Sequence, residues 1–330
     1  MEPALKSLLK EHPKIDVVGH RIVDGGPVYR ESTPLTPEVR AAIAEQSEFA
    51  PAHNRFELEA VQTVDRVIGP DVIQIAVFDT GFHTTLEPAA YVYPGPYSWL
   101  EDGVRRYGFH GINHQYCAER AAAMLPGRDP ASLKLIICHL GNGASLAAVR
   151  GGKSVDTTMG FTPLEGLMMG TRSGSLDPGI LVYLIRHRNY TAEQLDRILN
   201  KESGLLGVSG ISGDMRKIEQ AMLAGNARAQ LAFDIYIHRL LREIGGMLAV
   251  LGGLDALIFT AGVGENSVPV RKLVCDRLAF LGLKIDSSLN SQPKLDQDIA
   301  TADSKVRVLI IRANEELQIA KECHRLLSPS

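Results

Sequence analysis

Five short runs rich in Val, Ile and Leu punctuate the chain: Ile15–Val23, Val72–Asp79, Leu133–Leu140, Leu254–Gly262 and Val306–Ile311. Each is too short for a core helix and carries the β-branched residues of a buried strand. The segments between them repeat their apolar residues at helical spacing. These are Pro37–Gln46, Glu57–Ile68, Gln115–Leu125, Ala192–Leu199, Asp214–Leu223, Ala227–Leu251, Pro269–Leu281 and Asn314–Leu326. Strands alternating with helices predict an α/β architecture. Ser145–Val149 and Ser154–Thr158 flank Arg150-Gly151-Gly152-Lys153, and two central glycines suit a hairpin turn that needs positive φ twice. The helix predicted over Ala227–Leu251 has apolar residues on more than one face, which fits a buried spine or a partner surface. Met1–Pro13 reads as a plain polar stretch, and no apolar run reaches the roughly 18 residues of a membrane span.

Composition narrows the function classes. The chain has 330 residues, 45% hydrophobic and 22% charged, enough apolar material for about two domains. A formal net charge of −3 supplies no overall positive field for nucleic acid or an anionic membrane. An anionic substrate must therefore be met by local arginines. Cys117, Cys138, Cys275 and Cys323 contain no C-x-x-C pair and read as buried reduced thiols. The opening is too polar for a signal peptide, and a reducing cytoplasm fits these features.

The densest chemical signal runs from Met159 to Gly179, a Gly-rich apolar segment with one cation, Arg172. A buried unpaired charge is costly. Arg172 therefore either pairs internally, with Glu165 or Asp177, or presents a planar fork to an anionic ligand. Arg21 follows a predicted strand, and Asp79 ends another, where α/β folds keep ligand carboxylates. Glycines flank Phe109-His110; alone, His110 would read as a core histidine. His53-Asn54 and Phe82-His83 add polar groups at loop ends. Two Gly-rich turns follow strands, at His139–Ser145 and Thr260–Ser267, and the second enters a helix whose N–H groups could face a phosphate. Ser209–Asp214 leads into another helix, where capping alone would explain Asp214. There is no Walker A motif, G-x-G-x-x-G or Cys/His metal cluster.

Taken in order, these segments resemble the acetate kinase family. The most specific piece is Lys153–Arg172, preceded by Arg106–Gly111 and His139–Gly143 and followed by Asn200–Gly207, Phe259–Asn266 and Asn314–Leu317. The resemblance implies a duplicated actin-like (ribonuclease H-like) α/β fold with two lobes around a cleft. The N-terminal lobe would span residues 1–84, with a C-terminal helix near 316–330 packing back on it, and the nucleotide-binding lobe residues 85–315. It implies reversible transfer of the γ-phosphoryl of ATP to acetate or propionate. Arg21, Asp79, His110 and Arg172 would be catalytic. Arg21, Val23, Ala52, His53, Phe109 and Pro163 would bind the acid. His139, Leu140, Gly141, Asn142, Gly143, Asp214, Met215, Arg216, Gly262, Val263, Gly264, Glu265 and Asn266 would bind the nucleotide. Glu315 would bind Mg²⁺, with Mn²⁺ as the alternative. The family pattern also implies a homodimer whose partners are a small acid and a nucleotide, with no nucleic acid or membrane.

Three departures stand out. The family's opening strand and its Asn-x-Gly-Ser-Ser-Ser-type turn have no counterpart, so the N-terminal lobe is expected to be truncated, with an unpaired sheet edge. This leaves a second reading, a relic that binds ligand with little turnover. Asp24 stands where the family usually has His, and Ala52 where a Leu usually helps close the acid pocket.

Overall fold

The structure is a computed structural model that describes residues 2–12, 14–46, 54–294 and 296–328. It divides into two compact units. The first comprises Met1–Thr84, Phe109–Tyr116 and Asn314–Ser330, and the second Thr85–Gly108 and Cys117–Ala313. Phe109–Tyr116 thus joins the first unit, and His110 with it.

The first unit is built on a three-stranded sheet. Strand β1 (Val17–Ile22) pairs parallel to β3 (Ile73–Phe78), and the two-residue β2 (Thr33–Pro34) pairs antiparallel on the other side of β3. The alternation along β3 decides what covers each face. Ala76 and Phe78 pack with Ile22 against Val39, Ile43 and Val61, from the helices Pro37–Gln46 and Asn54–Val67. Ile75 and Val77 face the other way, against Ile112, Ile319 and Cys323. The last two belong to the helix Glu315–Leu327, so the C-terminal helix does pack on this sheet. The polar opening stretch is a helix, Glu2–Glu11, with no buried residue.

The second unit contains a six-stranded mixed sheet in the order β6-β5-β4-β7-β9-β8. Its strands are β4 (Lys134–Leu140), β5 (Ala144–Arg150), β6 (Lys153–Thr157), β7 (Ala256–Thr260), β8 (Gln297–Asp298) and β9 (Arg307–Ile310). β4, β7 and β9 run parallel, while β5, β6 and β8 are antiparallel to their neighbours. The predicted hairpin forms between β5 and β6. Gly151 and Gly152 take φ of 55° and 76°, angles that a side chain would resist. The helix Ala227–Leu251 lays Ala229, Phe233, Tyr236, Leu240, Ile244 and Met247 into the core, which makes it the spine of this unit. By contrast, the apolar helix Pro178–Arg188 buries no residue and exposes Ile180, Val182, Tyr183 and Ile185. All four cysteines are buried thiols outside any disulfide. Among the described residues no helix is long and apolar enough to cross a membrane.

Candidate active site

In the first unit the site forms where two parallel strands end. The register sets Ile22 beside Phe78, and Asp79 N–H donates to the Ile22 carbonyl at 2.8 Å. Arg21 and Asp79 are therefore neighbours at the C-terminal edge of the sheet, the usual ligand position in open α/β sheets. The Arg21 guanidinium donates to both oxygens of Asp79, at 2.5 and 3.3 Å. It also approaches Glu315 at 3.3 Å. Burial works against the Arg21 charge, but Asp79, then Glu315 and Glu57, outweigh it and raise its pKa. Asp79 is 1% exposed, whereas the Arg21 side chain is 39% exposed and keeps solvent-facing donors.

His110 is held beside this pair by backbone. Gly111 N–H donates to the Asp79 carbonyl at 2.7 Å. A Cβ on Gly111 would lie 2.3 Å from that oxygen, so only glycine permits the approach. His110 itself has φ of 57°, a left-handed conformation costing roughly 1–3 kcal/mol for a non-glycine residue and found most often at functional sites. The preceding residue is fixed as well, because buried His83 bonds the Phe109 carbonyl through Nε2 at 3.2 Å. His110 is half-buried and immediately precedes the helix Gly111–Met124.

Two more acids lie at this site, of which Glu57 escaped the sequence reading. Glu57 accepts the Val23 N–H on both carboxylate oxygens, at 3.2 Å each. Burial pushes its carboxyl up to about 7, against the Val23 hydrogen bond and Arg21, with Asp79 and Asp24 adding to the rise. Asp24 is likewise raised by burial, to about 6, against hydrogen bonds from Gly26 and Gly25. The only hint in the sequence was an acid in the first turn of a helix. A carboxyl raised in the folded state binds more protons there than in the unfolded chain, so stability falls as pH rises. For Glu57 the window runs from 4.5 to about 7. Glu57→Gln keeps an acceptor for Val23 and loses the titration. It is expected to gain roughly 1–3 kcal/mol over the unmodified chain between pH 5 and pH 8. Chemical denaturation across that range checks this, and an unchanged slope would place the titration elsewhere.

In the second unit Arg172 lies in a segment that other groups hold in place. Arg106 donates to the carbonyls of Thr157, Thr158 and Met159 and pairs with Glu165 at 2.8 Å. Tyr93 donates to the other oxygen of Glu165. Asp177 caps the helix Pro178–Arg188 by accepting the Gly179 N–H. Both carboxylates considered as partners for Arg172 are thus engaged elsewhere. Arg172 donates to the Pro163 carbonyl at 2.5 Å, and among the described residues no carboxylate forms a salt bridge with it. Burial alone lowers its pKa. The Asn200–Gly207 motif braces the same segment, with Leu205 and Leu206 N–H groups bonded to the Met169 and Gly170 carbonyls.

Beside this segment, within the same unit, is a cavity of about 610 Å³ lined by Gly141, Asn142, Gly213, Asp214, Met215, Arg216, Glu219, Gly262, Val263, Asn266 and Ser267. Most of the expected nucleotide residues are here. Glu219, which accepts from the Ser267 hydroxyl, was not foreseen. Gly170 N–H bonds the Asn142 carbonyl, tying the Gly141–Gly143 turn to the Arg172 segment. Asp214 does cap its helix, accepting from Arg216 N–H at 3.0 Å and from the Arg216 guanidinium. His139 and Leu140 close β4, and the Leu140 side chain is in the core. The turn after β7 differs from expectation. It is itself a short helix, Ala261–Asn266, and its first N–H is taken by the Glu265 carboxylate. Gly143, Gly264 and Glu265 do not line the cavity.

Ala52 and His53 lie outside the described residues. Val23 and Phe109 are buried in the first unit, and Pro163 is half-buried in the second. Among the described residues no group of three or more His, Cys, Asp or Glu side chains could cage a metal. Asp79 and Glu315 are nonetheless hard oxygen donors on one guanidinium. Burial raises the Glu315 carboxyl against Arg21, and the Asp79 and Glu316 charges add to the rise. A close acidic pair fits Mg²⁺, which binds one or two carboxylates together with substrate phosphates.

The Acetokinase family model matches residues 3–321. An acetate kinase of Gloeobacter violaceus is 61% identical over 316 residues, 96% of this chain and 78% of that protein. One from Nostoc punctiforme is 60% identical over 95% of this chain and 77% of its own length. Among solved structures, an acetate kinase of Porphyromonas gingivalis superposes with a TM-score of 0.92 at 40% identity, covering 99% of this chain and 85% of that one. A propionate kinase of Francisella tularensis gives a TM-score of 0.90 at 38% identity, covering 97% and 82%. Matches of this extent, on a chain whose arginines, histidine and Gly-rich turns occupy the positions described, show that it belongs to the acetokinase family.

Proposed function

We propose that this chain transfers the γ-phosphoryl group of ATP reversibly to acetate or propionate, giving ADP and the acyl phosphate. The observation that carries the reading is Arg172, a half-buried guanidinium with no carboxylate paired to it among the described residues. An anionic ligand is the natural complement of such a group. A carboxylate is ionised at neutral pH and needs no general base. One carboxylate oxygen bonds to phosphorus in line as the bond to the β,γ-bridging oxygen breaks, and ADP leaves with that oxygen.

The difficulty is bringing one anion to another, and the assigned roles answer it. Arg21 holds the acid while Asp79 orients its fork. Arg172 and His110 donate to the phosphoryl oxygens, where charge spreads in the transition state. Val23, Ala52, His53, Phe109 and Pro163 are assigned to acid binding. The cavity at Asn142, Gly213–Arg216, Gly262, Val263 and Asn266 takes the nucleotide. Asp79 and Glu315 would hold Mg²⁺, which when bound neutralises phosphate charge. The two sheets correspond in this reading to the halves of a duplicated actin-like ATPase, the first with three strands. The test is the reverse reaction: with Mg-ADP and acetyl phosphate the chain should form ATP, measured by luminescence. Tight ADP binding with turnover at background would instead support the relic reading.

Ala52 stands where the family pattern has a bulkier Leu, and a methylene in an apolar pocket is worth about 10–200-fold. Ala52→Leu is therefore expected to lower the propionate-to-acetate ratio of kcat/KM within that range, and an unchanged ratio would remove Ala52 from the pocket. The homodimer is assigned to the helix Pro178–Arg188, whose Ile180, Val182, Tyr183 and Ile185 are 44–51% exposed. Ile180→Asp with Tyr183→Asp should shift sedimentation from dimer to monomer. A double variant that stays dimeric would exclude this helix.

A further inference from the structure

Glu265 does not line the nucleotide cavity, and its contacts give it a different task. One carboxylate oxygen, Oε1, accepts two backbone N–H groups: Ala261 at 2.9 Å and Ala313 at 2.9 Å. Ala261 opens the short helix whose Gly262, Val263 and Asn266 line the cavity, and it sits at φ of 64°, left-handed for a non-glycine residue. Ala313 is the last residue of the second unit. The chain re-enters the first unit at Asn314, and Glu315 follows. The other end of the short helix is held independently. Arg271, fully buried, donates to the Gly264 and Glu265 carbonyls at 2.9 Å each and to Asn290. The helix is thus clamped at its end, and its start is tied by one charged acceptor to the backbone just before Glu315.

We infer that Glu265 is a positioning residue, which transmits occupancy of the cavity by a nucleoside diphosphate to the Ala313–Glu315 segment through its bond to the Ala313 N–H. Hydrogen bonds to an ionised acceptor are roughly twice as strong as neutral ones, and two donors on one oxygen make their geometries interdependent. A shift of the Gly262–Asn266 backbone around a ligand therefore alters the hold on Ala313. The inference rests on the reading that this cavity takes the nucleotide.

The experiment is amide hydrogen exchange with and without ADP, together with calorimetric ADP affinity, on the full chain. ADP should slow exchange at Ala261–Asn266 and also at Ala313–Leu317. Glu265→Ala should still bind ADP, roughly tenfold more weakly, and should lose the ligand-dependent protection at Ala313–Leu317. Glu265→Gln keeps an Oε1 acceptor and should stay within about threefold of the unmodified chain, with the protection retained. Should Glu265→Ala not fold, Glu265→Asp withdraws the carboxylate by one methylene and carries the same expectation. If Gln behaves as badly as Ala in ADP affinity, the charge itself meets the ligand and the inference is overturned. It is overturned equally if Ala lowers only the thermal midpoint and leaves affinity and Ala313 protection intact. Absence of ADP binding by the unmodified chain would remove the nucleotide reading, and the inference with it.

Discussion

Arg172→Ala is expected to lower kcat/KM for phosphoryl transfer by about 10²–10³-fold or more, the range for losing one donor aimed at transition-state charge. Folding stability should change by about 1 kcal/mol or less. The asymmetry follows from the surroundings. Arg172 gives one hydrogen bond to the Pro163 carbonyl, and no carboxylate among the described residues is left behind by its removal. Its charge is opposed by burial, so truncation also relieves a desolvation cost. Arg172→Lys should recover little, because a point charge does not reproduce a planar fork. Parallel kinetics and denaturant titrations check both halves. A variant that loses several kcal/mol of stability but keeps its activity would make Arg172 a structural residue.

Arg21→Ala should behave differently, losing both activity and stability. Its partner Asp79 is 1% exposed, so removing the guanidinium strands a buried carboxylate. Breaking a fully buried pair costs about 3–5 kcal/mol. Because Arg21 is partly solvated, roughly 2–3 kcal/mol is expected here. Activity should fall at least as far as for Arg172, since Arg21 is proposed to hold the acid. The double variant Arg21→Ala with Asp79→Asn discriminates between the two effects. Removing the stranded charge should restore much of the stability and none of the turnover, a coupling that a double-mutant cycle measures. Stability that stays low in the double variant would mean that Arg21 acts through packing.

The contrast between the two arginines also marks how far the sequence could be read. The central parallel strands were legible because β4 and β7 bury nearly every residue, so their sequences are rich in Leu and Ile with few polar positions. The Gly151-Gly152 turn was legible because its conformation demands those residues. Arg21 and Asp79 were found as strand ends, and the register then made them partners. Pairings distant in sequence were not legible. Glu165 was a candidate partner for Arg172, but it is bound by Arg106 and Tyr93. Glu57 reaches Val23 across 34 positions. The helix Ala261–Asn266 was read as a turn because two glycines lower its helix propensity. The Glu265 and Arg271 side chains supply the tertiary hydrogen bonds that override that preference. The helix Pro178–Arg188 escaped because its apolar residues, having no core to face, show no helical period.

The most direct test is to trap the product. The chain is incubated with Mg-ATP and either acetate or propionate in the presence of hydroxylamine, which converts an acyl phosphate to a coloured hydroxamate. A second preparation carries Arg172→Ala. Phosphoryl transfer predicts hydroxamate and ADP in equal amounts, dependent on the acid and reduced to background by Arg172→Ala. ADP released without hydroxamate, or no hydroxamate from the unmodified chain, would contradict the assignment.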